Sequence, residues 1–113
     1  MGVVIRDVML DISEDDDLSL ALDFGKPVRL LWIYVPDIDS ADVDIHASIS
    51  VEENPASDTF KLFKEDLMGG AGTGDEIVNL SLEDDIAGFR YFKIGTSQSQ
   101  SADRVFRVGA TYC

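Results

Sequence analysis

The sequence predicts an all-β protein, an antiparallel β-sandwich of about eight short strands. Two observations carry that expectation. Apolar residues recur at every second position, the period of a half-buried strand and not of a helix. Turn-forming clusters separate these runs at intervals of about ten to fifteen residues, the spacing of a sandwich. The clearest instance is the last third, where alternating runs at residues 89–94 and 104–112 flank a Gly/Ser/Gln loop and read as a closing β-hairpin.

Each element follows from its own pattern. Residues 3–9 form a short first strand. Leu18, Leu20, Leu22 and Phe24 alternate with Ser19, Ala21 and Asp23 and give a second. Residues 28–35 are apolar on both faces and read as a central strand, bracketed by Pro27 and Pro36 because proline cannot donate to a ladder. Val43, Ile45, Ala47, Ile49 and Val51 point inward from the next strand, with Asp44, His46, Ser48 and Ser50 outward. Residues 59–63 and 76–80 are shorter strands. Helix is confined to a single turn at residues 81–86, where Ser81 can cap and Asp84 and Asp85 suit the first turn. No internal repeat or linker divides the chain, so residues 1–113 are expected to fold as one domain.

Composition narrows the function. The formal net charge is −13, with 22 acidic and nine basic residues. The basic residues form no stripe, which argues against nucleic acid as a partner, because phosphate contacts need clustered Lys and Arg. The longest apolar run, residues 28–36, is interrupted by Arg29 and is far shorter than the ~20 residues of a membrane span. No signal-peptide pattern opens the chain. The lone cysteine, Cys113, cannot form an internal disulfide.

Motifs for chemistry fall short, so no catalytic, cofactor or metal residues are assigned. His46, the one histidine, sits among Asp44 and Ser48 on a polar strand face with no pocket or oxyanion hole implied. Asp37, Asp39 and Asp42 are spaced carboxylates, and residues 14–17 are a second acidic run, but neither has the Gly and terminal Glu of a calcium loop. The glycine-rich run at residues 69–74 is followed by Asp75 and Glu76 where a phosphate loop needs Lys and a hydroxyl. It reads as a flexible loop. Trp32 and Tyr34 share a face, as do Phe89 and Tyr91. Core packing is the ordinary role of such residues, and stacking on sugar rings is the alternative.

Phe89-Arg-Tyr-Phe-Lys-Ile94, preceded by Ile86-Ala-Gly88 and followed by a Ser/Thr/Gln loop and Ala102-Asp-Arg104, resembles a segment of small bacteriophage virion proteins. Leu30-Leu-Trp-Ile-Tyr-Val-Pro36 resembles that group's strand ending in proline. Residues 42–51 and 58–63 resemble a further strand and its partner. The resemblance covers roughly residues 28–112 and departs in the acidic N-terminal third. Its last-strand wording is shared with galactose-binding-like jelly rolls. It implies a jelly-roll sandwich on the virion, assembled in the host cytoplasm: a capsid decoration or cement protein that contacts the major capsid protein and self-associates as a dimer or trimer. The alternative it implies is a carbohydrate-binding module on a tail or receptor-binding assembly. The uncharged loop and its basic flank, Thr96, Ser97, Gln98, Ser99, Gln100, Arg104 and Arg107, are the expected partner contacts.

Overall fold

The computed structural model describes residues 2–81 and 87–113. Among them lie seven strands: β1 (Val4–Leu10), β2 (Leu22–Val35), β3 (Val43–Ser48), β4 (Phe60–Lys64), β5 (Glu76–Asn79), β6 (Ala87–Thr96) and β7 (Arg104–Tyr112). All pairings are antiparallel and run β1-β7-β2-β6-β3-β4, with β5 also against β2. The only helical turn among them is a short 3-10 turn, Ser57–Thr59. The turn expected at residues 81–86 lies, apart from Ser81, outside the described residues.

The runs expected as two strands, residues 18–24 and 28–35, contribute to one 14-residue strand, β2. The intervening Gly-Lys-Pro is absorbed as a bulge. Gly25 takes a φ of 84°, its N–H donates to the Asp23 carboxylate at 2.7 Å, and the register on β6 slips between Asp23 and Val28. A bulge is a place where a strand can hold a proline without breaking its ladder. Leu22 and Asp23 before it and Val28 and Arg29 after it pair with β6. Residues 28–34 pair with β7 on the opposite side, and residues 32–35 pair with β5.

β2 therefore belongs to both layers of the sandwich. One layer is β1-β7-β2-β5, and the other is β2-β6-β3-β4. The core between them takes Val8, Leu10, Val28, Leu30, Ile33, Val35, Phe106 and Val108 from the first layer. Leu22, Phe24, Val43, Ile45, Phe92 and Ile94 come from the second, and every one of these residues is buried. Phe24 meets Phe92 edge-on at 5.9 Å, and Phe89 joins the same cluster. Fully buried side chains of this size contribute roughly 1.5–3 kcal/mol each.

Three expectations change. The closing hairpin is not a hairpin: β6 pairs with β2 and β3, β7 pairs with β1 and β2, and residues 97–103 cross between layers. Alternation identified both strands, but the long β2 separates them. The strand expected to reach Val51 ends at Ser48. The Ser48 hydroxyl accepts the Ser50 N–H and bonds the Thr59 hydroxyl, so the chain turns away and leaves Ile49 and Val51 66% and 97% exposed. Finally, Leu20 is exposed while Ser19 is buried, its hydroxyl accepting the Ile94 N–H at 2.8 Å.

A second bulge, between Leu30 and Trp32 on β7, turns Trp32 out of the core and lays its indole on Gly109. A Cβ at Gly109 would stand 2.2 Å from the indole. Gly109→Ala must therefore push the ring off the sheet. The expected cost is about 1–3 kcal/mol in urea unfolding, with a red shift in the emission of the protein's only tryptophan. An unshifted spectrum and unchanged stability would contradict this packing.

Candidate functional site

The loop expected to meet a partner is fastened by its own side chains. Thr96 and Gln100 are buried. The Gln100 amide accepts the Asp39 N–H at 2.8 Å and the Arg104 Nε–H at 3.2 Å, and donates to the carbonyls of Asp39 and Gln98. The Ser97 hydroxyl accepts the Asp42 N–H at 2.8 Å, and Ser101 N–H donates to the Asp39 carboxylate at 2.7 Å. Residues 96–104 are thus clasped to residues 37–42. Of the seven expected contact residues, Ser97, Gln98, Ser99 and Arg107 are exposed. Ser97 and Arg107 already hold partners within the chain.

The basic residues of this region satisfy neighbouring groups. Arg107 makes a two-point ion pair with Asp7 at 2.7 and 3.3 Å, and Arg90 makes one with Asp23 at 2.7 and 3.0 Å. Arg104 reaches Asp39 at 3.2 Å, and the Lys93 ammonium stands 4.8 Å from the Phe60 ring. Hydrogen bonds from Arg107 and Arg90 hold the Asp7 and Asp23 carboxyls below the usual range.

The acidic clusters resolve in the same way. Asp39 and Asp42 serve different loops and do not converge with Asp37. The Asp42 carboxylate accepts the N–H groups of Val43, Met68 and Gly70 at 2.8–3.1 Å. Burial pushes this carboxyl up, but those amides and the Asp66 carboxyl outweigh it and hold it below its ordinary value. The glycine-rich loop beside it is pinned, with the Gly72 and Ala41 backbones bonded reciprocally. Its amides face a carboxylate of the chain itself. Asp15, Asp16 and Asp17 gather on an exposed turn. The His46 Nε2 bonds Asp44 at 2.8 Å.

Two concave regions stand out among the described residues. One is a cleft of about 400 Å³ between the β2 bulge, the turn after β3 and the start of β6, lined by Lys26, Pro27, Ile49, Val51, Phe89 and Tyr91 among others. Tyr91 is buried there beneath the Arg90 guanidinium, 4.7 Å from its ring, and its hydroxyl has no partner among the described residues. The other is a shallow depression on the outer face of the first layer, about 530 Å³, lined by Val3, Leu31, Trp32, Ile77, Asn79 and Ser81. Val3, Ile5 and Ile77 are 50–69% exposed around it.

Sequence reasoning assigned Trp32 and Tyr34 chiefly to the core. Both instead stand half-buried on this outer face, and Tyr34 donates its hydroxyl to Asp75 at 2.8 Å. Alternation alone would place Trp32 with Leu30 inside, so the bulge hid the face. The nearby carboxylates Asp7 and Asp75 are engaged by Arg107 and Tyr34, which leaves a largely apolar surface on a strongly acidic protein. No protein-family model, curated protein or solved structure matches the chain.

Two predictions concern the carboxylates. Asp42→Ala leaves the Met68 and Gly70 amides without their acceptor, and should cost about 2 kcal/mol in denaturant unfolding at neutral pH. Asp17 is raised to about 6, first by its hydrogen bond to Asp15, then by burial and by the charges of Asp15, Asp16 and Asp44. Its folded value exceeds its unfolded one, so the folded state holds the proton longer. Its contribution to stability therefore falls as pH rises from about 4 to 6. Carboxyl NMR should place the Asp17 midpoint near 6, and Asp15→Asn should return it to the ordinary range. A wild-type midpoint near 4 would refute the coupling.

Proposed function

We propose that this domain is a non-enzymatic structural protein of a bacteriophage virion, a capsid decoration or cement protein that binds the major capsid protein shell through the outer face around Trp32. The observation that carries the reading is that face: the exposed Val3, Ile5 and Ile77 and the half-buried Leu31 and Trp32 form an apolar surface on a chain of net charge −13. Contiguous apolar surface on a soluble domain marks association. The sequence resemblance supplies the virion context, and the clasped loops supply the rigidity that a cement protein needs. Many copies binding together gain avidity from modest individual contacts. The acidic remainder of the surface keeps free copies apart and complements basic patches on a shell.

A second reading is supported by the same indole. A half-buried ring lying flat on a sheet with one face outward is also a platform for a sugar, which fits a carbohydrate-binding module on a tail or receptor-binding assembly. The two readings separate cleanly in experiment. Added to decoration-free heads of its own virion, the protein should bind and raise their melting temperature, and Ile77→Lys should abolish both effects. Failure to bind heads would sink the first reading, and saturable quenching of Trp32 emission by oligosaccharides would favour the second.

A further inference from the structure

We propose that β1 is the joint of a two-fold dimer, in which the β1 strands of two copies pair antiparallel about Ile5. The described strands leave three edges: β1, β4 and β5. Two are blunted in ways that discourage pairing. β4 has five residues, carries Lys61 and Lys64, and pairs through a bulge against β3. β5 has four residues. β1 has seven, without proline or glycine, and matches β7 one-to-one from Val4↔Ala110 to Leu10↔Arg104 without a slip. It is the long, regular edge.

The open backbone groups can be assigned. The Met9 carbonyl accepts the Leu20 N–H at 2.9 Å, on the side away from β7. In an antiparallel ladder alternate residues turn their groups to alternate sides. The N–H and C=O of Ile5 and Asp7 therefore face outward too. Consistently, the Ile5 carbonyl accepts the guanidinium of the adjacent Arg6 at 3.1 Å. Leu20 closes the edge at Met9, and among the described residues no other backbone pairs with the outer side of the strand before it.

The occupant that fits is a second copy. Odd residues must meet odd residues, so the two-fold axis passes through a residue position. An axis at Arg6 sets arginine opposite arginine, and an axis at Asp7 sets aspartate opposite aspartate, both unfavourable. An axis at Ile5 sets Ile5 opposite Ile5, Arg6 opposite Val4 and Asp7 opposite Val3, with no like charges facing. In this register the two outer faces join. Ile5 and Trp32 both register with Gly109, so the two indoles and two isoleucines form one apolar band. This inference does not depend on the virion reading, because it is read on the isolated protein and shell binding is read on heads.

The test is sedimentation equilibrium under reducing conditions at low and high salt. The expected result is a dimer that tightens as salt screens the two acidic copies. Ile5→Pro removes an outward N–H and the Ile5 side chain but no bond to β7, and should yield a folded monomer whose melting temperature no longer depends on protein concentration. In a Cys113→Ser background, oxidised Ile5→Cys should crosslink, because directly paired residues stand about 5.5 Å apart. Asp7→Cys should not, since this register separates the two copies by about 13 Å. The crosslinks decide the matter even if the proline variant fails to fold. A monomer at high salt, a trimer, or a dimer that crosslinks at Asp7 and not at Ile5 would overturn the proposal.

Discussion

The fold depends on the hydrogen bonding of β2. This one strand pairs with β6 on both sides of its bulge, at residues 22–23 and 28–29, and with β7 and β5 from residue 28 on, so it is the covalent and hydrogen-bonded seam of both layers. Its inward residues reach the core from each half: Leu22 and Phe24 from one, Val28, Leu30, Ile33 and Val35 from the other. Two irregularities make that possible. The bulge at Gly25 shifts the register on β6 just before β7 joins the other side of the strand, and the bulge at Leu31 resets which side chains face inward. Without the second, Trp32 would lie inside and Ile33 outside, and the candidate interaction face would not exist.

What was legible in the sequence was the identity of most strands. Period-two alternation located β1, β3, β6 and β7 within a few residues, because a strand with one buried face must alternate. Partners were not legible. The runs flanking the Gly/Ser/Gln loop looked like a hairpin because they are adjacent and regular. Their separation into two layers is decided by β2, some seventy residues earlier in the chain, and no local signal reports it. The same limit applies to parity: a bulge costs one residue in the sequence but reverses the facing of all that follow. Trp32 and Ile49 were misassigned for this reason, one by a bulge and the other by a serine-stabilised turn.

The carboxylates show why an acidic composition need not mean a metal or a basic partner at each cluster. Asp11 accepts from Ser13, Asp23 from Gly25 and Arg90, Asp39 from Ser101, Asp42 from three amides, and Asp103 from Ile12. In a small all-β protein the loops hold many backbone N–H groups that no ladder satisfies. A short carboxylate is well suited to collect them, since ionised acceptors make the stronger bonds. Part of the negative charge is therefore a consequence of fastening loops.

That distribution also bears on where the molecule can be recognised. Charge used in this way is spread over loop-bearing ends, and the outer face of the β1-β7-β2-β5 layer receives little of it. Its two carboxylates are held by Arg107 and Tyr34. Repulsion between acidic copies is weaker across such a face, so the surface proposed for association is defined as much by the charge placed elsewhere as by Trp32, Ile5 and Ile77 themselves. An acidic remainder of this kind would keep free copies apart and favour the proposed contact across the apolar face.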